Sequence, residues 1–153
     1  MYSGIVIALL FVFPILSASA EVALRHTPVS VEVLLRWFVF WGVGVRLLSA
    51  GISQIMRPRY TAETILGLQR GDAQFVVREL GFSNTALGVV GCLSLGFTNW
   101  ISAAAVAGAI FYAFAGVNHK LQGKHTVKET VAMFTDLGFA IVIAVLSVMA
   151  WPH

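Results

Sequence analysis

The sequence predicts an all-α integral membrane protein, a helical bundle of five transmembrane helices that forms a single domain over residues 1–153. Five apolar stretches, each broken by at most one charge, occupy most of the chain, and a helix needs about 20 mostly apolar residues to cross the hydrocarbon core. The composition agrees: 58% of the 153 residues are hydrophobic and 11% are charged, against roughly 25% charged in ordinary soluble domains. Mean hydropathy is +0.85.

The predicted spans are an N-terminal helix followed by a four-helix bundle, and they cover residues 4–21, 34–56, 78–97, 100–118 and 131–151. The first segment has an alternative interpretation, because Ala18-Ser19-Ala20 after an apolar run resembles a signal-peptidase site. The three residues Met1 to Ser3 carry no lysine or arginine to form the usual positive start of a signal peptide. We therefore expect a genuine first span.

The distribution of basic residues predicts the orientation of these spans. Of ten lysines and arginines, seven fall on the side that holds the N-terminus: Arg57, Arg59, Arg70, Arg78, Lys120, Lys124 and Lys128. The positive-inside rule then places the N-terminus in the cytoplasm and the C-terminus outside. Trp37, Trp100 and Trp151 fall at the opposite boundary, where indoles favour the interface. We expect a multi-pass protein of the inner (plasma) membrane.

A charge in the second span indicates a polar interior. Arg46 lies near the middle of that span, where an uncompensated charge costs about 2.5 to 3.5 kcal/mol on insertion scales. Its helical neighbours Gly42, Ser49, Ala50 and Ser53 are small, which suits close helix packing and predicts that Arg46 points into the bundle. We expect Arg46 to pair with Asp136 of the last span, with Glu79 as the rival partner.

Other polar residues are predicted at the same depth. Tyr112 and His119 are seven residues apart on one face of the fourth span, and Asn84 shares a stripe with Gly88 and Gly91. The sequence therefore predicts a ligand-binding pocket in the cytoplasmic half of the bundle, formed by Arg46, Glu79, Asn84, Tyr112, His119 and Asp136. The alternative is that these side chains only cross-link helices, each hydrogen bond contributing about 0.6 kcal/mol.

Two further patterns concern packing and the longest connection. Ala105, Ala109 and Ala113 form a small-residue ridge, typical of a bundle core or a contact between subunits, so a homo-oligomer is expected. In the connection after the second span, Pro58 should stop the helix, and residues 61–68 read as a short helix. Gly71-Asp72 should then break that helix, and Asp72 should cap the third span.

The sequence contains no catalytic, metal or cofactor motif. HExxH, GxSxG, P-loop and CxxC patterns are absent, and the lone Cys92 excludes an intramolecular disulfide. His119 and His125 are poorly spaced for one helical face, while His26 and His153 are predicted on the other side of the membrane. The four histidines therefore predict no metal site. The basic residues flank membrane segments and form no separate basic domain, so nucleic acid is not expected as a partner.

Several of these residues also carry a resemblance to a known family. They are Thr61-Ala-Glu-Thr-Ile-Leu-Gly67, Gln74-Phe75, Arg78-Glu79-Leu80-Gly81-Phe82-Ser83-Asn84, Gly88, Gly91, Ala109-Ile-Phe-Tyr112, Gly116, His119 and Asp136. Over roughly residues 34–145 the chain resembles a family of small bacterial membrane proteins of unknown function. The resemblance implies that Glu79, Asn84, His119 and Asp136 belong together, and it supplies no activity.

More loosely, the last four spans resemble the bundle of DoxX-type proteins. Some relatives of those proteins are tied to thiol or quinone redox metabolism, which this resemblance would imply here. The chain departs from a redox interpretation because it has one cysteine and therefore no cysteine pair.

These observations favour a non-enzymatic membrane protein, surrounded by lipid, that binds or carries a small anionic or lipidic ligand or serves as an accessory subunit. Arg46 would be its central positive group. One alternative is an accessory component of a membrane oxidoreductase that binds a quinone, with Tyr112 or His119 donating a hydrogen bond to a quinone carbonyl. The other alternative is a purely structural bundle.

Overall fold

A computed structural model describes residues 2–26, 28–65, 73–121 and 127–151, and 92% of these residues are helical, with no strand among them. The all-α fold class is therefore confirmed. Within these ranges the chain forms six helices, which we number α1 to α6.

The first three helices contain π-helical segments, in which the backbone hydrogen bonds skip one residue more than in an α-helix. Helix α1 runs through Tyr2–Ile7, the π segment Ala8–Val12 and Phe13–Arg25. Helix α2 runs through Val31–Phe38, the π segment Val39–Val45 and Arg46–Met56. The short helix α3 joins Pro58–Tyr60 to the π segment Thr61–Ile65.

The last three helices are more regular. Helix α4 is Ala73–Leu93, α5 joins a 3-10 turn at Thr98–Trp100 to Ile101–Leu121, and α6 is Val127–Met149. Predicted breaks at Gly71 and Asp72, and the side chain of His125, lie outside the described residues. We call the end of the bundle where α1, α4 and α6 begin the cavity end, and the end where α1 meets α2 the Glu21 end.

Four of these helices are long and apolar enough to cross a membrane. They contain the segments Ser3–Arg25, Val31–Met56, Thr98–Leu121 and Thr130–Met149. Helix α4 is not one of the four, since Arg78, Glu79 and Asn84 lower its hydropathy. Large apolar side chains such as Phe114 and Val148 point outward, 72% and 70% exposed. The chain is thus an apolar helical bundle with an apolar outer surface.

The ends of α2 follow from local chemistry. Ser30 is the N-cap, and its hydroxyl accepts a hydrogen bond from the Val33 backbone N–H at 3.3 Å, which satisfies one of the free donors at a helix start. At the other end α2 stops at Met56. Arg57 leaves the helical conformation with φ −135° and ψ 58° because it precedes Pro58, whose ring disfavours a helical residue before it.

Helices α2 and α4 pack in antiparallel fashion with their backbones in direct contact. A Cβ added at Gly44 would lie 2.8 Å from the Cys92 backbone nitrogen, and one at Gly51 would lie 2.7 Å from the Gly81 carbonyl oxygen. A Cβ at Gly88 would lie 2.6 Å from Leu48 Cα. Only glycine fits at these crossings, so the small-residue stripe brings the two backbones together.

The centre of the bundle is built around Phe139 of α6, which is fully buried. Its ring packs edge-on against Tyr112 at a centroid distance of 4.8 Å and lies 6.2 Å from the rings of Phe11 and Phe38. Gly42 gives this ring its place, since an added Cβ there would collide with it. Aliphatic residues complete the core: Leu10, Val39, Val43, Leu47 and Ile143.

Helix α5 buries the face that carries Ala105, Gly108, Tyr112 and Gly116. A Cβ on Gly108 would meet Val43, and one on Gly116 would meet Leu137. In the predicted alanine ridge, Ala105 is fully buried inside the bundle, while Ala109 and Ala113 are only partly buried. The ridge therefore serves internal packing at least at Ala105.

The glycine contact between α2 and α4 predicts the effect of one added methyl group. We expect Gly88→Ala to lower the free energy of unfolding by about 1 to 3 kcal/mol, because the Leu48 backbone cannot move aside as a flexible side chain could. Gly4→Ala is the matched control, since nothing lies within 4 Å of its added Cβ. The measurement is the temperature at which detergent-solubilised protein loses its monodisperse gel-filtration peak. Equal stability of the two variants would contradict the close backbone contact.

Candidate functional site

A cavity of about 220 Å³ lies at the cavity end of the bundle. One water molecule needs roughly 10 to 15 Å³ of such space, so the cavity has room for several waters or for a small organic molecule. One part of its wall is apolar, and half of its larger side chains come from α1: Ile5, Val6 and Leu9, beside Leu47, Leu80 and Phe111. The polar part comes from five helices: Arg46, Ser49, Ser53, Gln54, Thr61, Asn84, Tyr112, His119 and Asp136.

Five of the six residues that the sequence predicts for the pocket line this cavity: Arg46, Asn84, Tyr112, His119 and Asp136. Glu79 does not. It lies on the exposed face of α4, because five residues separate it from Asn84 and at about 100° per residue the two side chains point roughly 140° apart. Glu79 is therefore not the partner of Arg46 in this cavity. Gln54, Ser53 and Thr61 also line the cavity, and no pattern in the sequence distinguishes them from other polar residues.

The π segment of α2 arranges the floor of the cavity. The Arg46 backbone N–H donates to the Trp41 carbonyl, five residues back, where a regular α-helix would use Gly42. The Gly42 carbonyl then accepts a hydrogen bond from the Tyr112 hydroxyl at 2.6 Å. Tyr112, 1% exposed, is thereby fixed against α2 just before Arg46. This hydroxyl proton is already used, so it is not available to a ligand.

Arg46 and Asp136 face the same cavity from α2 and α6. The positive charge of Arg46 interacts with the Asp136 carboxylate, and Asp136 is 7% exposed. Opposite charges that share an apolar interior compensate each other, which hydrocarbon cannot do. The two residues can therefore both remain in the bundle.

Asn84 and Gln54 form an amide pair across the α2–α4 contact. Asn84 Nδ2 donates to Gln54 Oε1 at 2.8 Å. The other end of the same amide, Asn84 Oδ1, is buried and receives no hydrogen bond from any described residue. A buried acceptor without a donor costs about 1 to 3 kcal/mol. This unmet acceptor in the cavity wall is a second feature, besides the charges, that favours a bound polar molecule.

At the Glu21 end, a second polar cluster joins α1 to α2. The Glu21 carboxylate, 9% exposed, accepts from Arg36 Nη2 through Oε1 and from Trp37 Nε1 at 2.7 Å through Oε2. Arg25 Nη1 lies 3.4 Å from Oε1, and Trp41 Nε1 donates to Ser17 Oγ at 2.9 Å. This cluster closes the α1–α2 hairpin.

This cluster was not predicted, because Glu21 and Arg36 fall at the ends of the first two predicted spans and were not considered as partners. A signal was present. Glu21 and Arg36 lie at nearly equal distances along the chain from the connection between α1 and α2, as do Ser17 and Trp41. Residues equally far from the turn of an antiparallel helical hairpin lie opposite each other, so complementary polar residues at such positions indicate a contact.

The four apolar helices of spanning length place the chain in the class of multi-pass helical membrane proteins. The family of unknown function DUF6790 matches residues 4–153, so the chain belongs to that family. The predicted membership of a family of unknown function is thereby confirmed, while the looser likeness to DoxX-type bundles stays a prediction. No curated protein and no solved structure matches the chain. Among the described residues, no group of three or more His, Cys, Asp and Glu could hold a metal ion.

The hydrogen bond between Tyr112 and Gly42 can be tested by removing one oxygen atom. We expect Tyr112→Phe to lower the free energy of unfolding by about 0.6 to 1.7 kcal/mol, the range measured for hydrogen bonds between membrane helices. Tyr60→Phe, at an exposed position in α3, is the control. Thermal denaturation of both variants in the same detergent provides the comparison, and an unchanged Tyr112→Phe midpoint would contradict the arrangement.

The Glu21 cluster predicts a charge-dependent contribution to stability. We expect Glu21→Gln to lower the free energy of unfolding by about 1 to 3 kcal/mol, because the amide keeps the shape but leaves Arg36 without its counter-charge. Glu79→Gln, at an exposed position of α4, should leave stability unchanged. Equal denaturation midpoints for the two variants would show that the cluster contributes nothing.

Proposed function

We propose that the chain crosses the inner membrane five times, with α4 as the additional span and the cavity end in the cytoplasm. Helix α4 has 21 residues, and at 1.5 Å per residue its length of about 31 Å matches a hydrocarbon core of about 30 Å. It packs along α2 through glycines, as spanning helices do. The basic residues Arg57, Arg59 and Arg78 lie near this end of the bundle, which supports the cytoplasmic assignment.

We propose further that the cavity binds a small anionic or lipidic ligand, and that the protein is a binder or carrier without an enzymatic role. The observation that carries this proposal is the position of Arg46 in a cavity of about 220 Å³ whose remaining wall is divided into an apolar and a hydrogen-bonding part. A guanidinium is the side chain best suited to bind a carboxylate or phosphate group, since it presents several donors in one plane.

The two parts of the wall indicate an amphiphilic occupant. An acidic head group beside Arg46 would have hydroxyl and amide groups within the same wall, among them Ser53, Gln54 and Asn84. An apolar tail would extend along Ile5 and Leu9 of α1, side chains that a water-filled cavity would leave in an unfavourable contact. Ligand sites commonly combine a mostly apolar lining with a few placed polar groups.

The quinone alternative has less support from these contacts. It requires Tyr112 or His119 to donate to a quinone carbonyl, and the Tyr112 hydroxyl already donates to the Gly42 carbonyl. His119 alone remains for that role. A purely structural bundle would be expected to fill its interior, whereas this one keeps an open volume and an unmet acceptor on Asn84. Self-association and a role as an accessory subunit stay predictions.

The binding proposal is tested by native mass spectrometry of gently extracted protein. Wild-type protein should retain a bound molecule, and Arg46→Gln should reduce its occupancy at least tenfold, roughly the effect of losing 1.4 kcal/mol of binding free energy. Arg78→Gln is the matched control, because Arg78 lies on the exposed face of α4 and its loss should leave occupancy unchanged.

Arg46→Gln also leaves Asp136 without its compensating charge, so a second variant separates binding from folding. In Arg46→Gln/Asp136→Asn both charges are removed together, and we expect the double variant to keep the wild-type gel-filtration profile while it loses the ligand. Bare protein in every wild-type preparation, or a double variant that still carries the molecule, would contradict the proposed site.

A further inference from the structure

We propose that an anion entering the cavity separates Arg46 from Asp136, and that Asp136 then takes up one proton, so that ligand and proton bind together. This inference rests on the proposed anion site and adds its coupling to pH. It starts from an apparent conflict in the cavity: the guanidinium that would attract an anion already interacts electrostatically with the Asp136 carboxylate, which lines the same cavity.

This conflict can be expressed as the sum of the charges inside the cavity. With Asp136 ionised and no ligand bound, the charges of Arg46 and Asp136 sum to zero. A bound monoanion would bring the sum to minus one and would place two negative groups around a single guanidinium. Like charges that share an interior of low dielectric repel strongly, and one of two neighbouring acids then keeps its proton. Uptake of one proton by Asp136 returns the sum to zero.

The proton step changes only the Asp136 carboxylate. A proton from water binds one oxygen of the Asp136 carboxylate, forming an O–H bond and a neutral carboxylic acid, and no other covalent bond changes. The guanidinium stays charged throughout, as arginine does in proteins. The neutral acid gains a hydrogen-bond donor. The protonated Asp136 can therefore donate a hydrogen bond to the bound anion. The repulsion between two negative charges is then replaced by an attractive hydrogen bond.

The residues around Asp136 include few other groups that could take up the proton. Among the described residues that line the cavity, α2 contributes Arg46, α5 contributes Tyr112 and His119, and α4 contributes the uncharged Asn84. Helix α1 presents only apolar side chains, and α3 presents Thr61. Tyr112 donates its proton to the Gly42 carbonyl. His119 is consequently the rival acceptor, and the test must separate it from Asp136.

The test measures the binding of propionate, a small monocarboxylate that stays fully ionised between pH 6 and 9. Its dissociation constant is obtained from the rise in melting temperature of detergent-solubilised protein with propionate concentration. For wild-type protein we expect the dissociation constant to rise about tenfold per pH unit on the alkaline side and to level off at lower pH, the signature of one linked proton.

Three variants assign that proton. Asp136→Asn, a permanently neutral isostere, should bind propionate with a dissociation constant that no longer depends on pH. His119→Gln should keep the wild-type slope. Arg46→Gln/Asp136→Asn should show no saturable stabilisation. Calorimetry at alkaline pH in two buffers of different ionisation enthalpy should give uptake of about one proton per propionate in wild type and none in Asp136→Asn.

The possible results distinguish the proton coupling from the anion site on which it rests. Saturable propionate binding with a pH-independent constant in wild type would overturn the proton coupling and leave the anion site standing. A slope that is lost in His119→Gln and kept in Asp136→Asn would move the proton to the histidine and overturn the assignment. Absence of any stabilisation by propionate, in wild type and in Asp136→Asn alike, would contradict the anion site and the coupling together.

Discussion

Hydrocarbon cannot solvate a guanidinium, and the position of Arg46 in a long apolar helix therefore constrains much of this bundle. The charge has to find its compensation within the protein, and the cavity provides it through Asp136 on α6. Access to that partner depends on the turn before Arg46, where the π segment Val39–Val45 shifts the phase of the helix. The carbonyl of Gly42 in this segment accepts the hydrogen bond from Tyr112, and the Phe139 ring packs where a Cβ of residue 42 would lie. Backbone irregularity, aromatic core and buried charge are thus parts of one arrangement.

The bundle is closed at one end and hollow at the other. At the Glu21 end, the carboxylate of α1 is held by Arg36 and Trp37 of α2, which fixes the hairpin at its turn. Along α2 and α4, glycine contacts leave no space between the backbones. At the cavity end the bundle encloses a volume lined by polar groups from five helices. Tight packing at Gly44 and Gly51 holds α2 in place, so the cavity is a feature of a rigid frame.

The sequence predicted those features that depend on side-chain type and helical period. The apolar segments indicated the fold class, and the small residues around Arg46 indicated an inward-facing cation. Glu79 was included in the predicted pocket for its depth in the membrane, but its helical phase relative to Asn84 points it outward. The Tyr112–Gly42 hydrogen bond could not be predicted, since it needs a backbone carbonyl that only the π segment releases. The Glu21–Arg36 contact was predictable in principle from their equal distance to the turn.

Close packing and charge compensation place opposite demands on the cavity end. If Arg46 and Asp136 served only to join α2 to α6, the simplest solution would be a direct contact in a filled interior, because voids cost dispersion energy. Here the two charged residues share their wall with Asn84, whose carbonyl oxygen has no donor among the described residues, and with hydroxyl groups of Ser53 and Thr61. The Asn84 acceptor contributes nothing to stability without a donor. A polar molecule in the cavity could supply that donor, and this is the physical reason for which we propose a binding site rather than a cross-link.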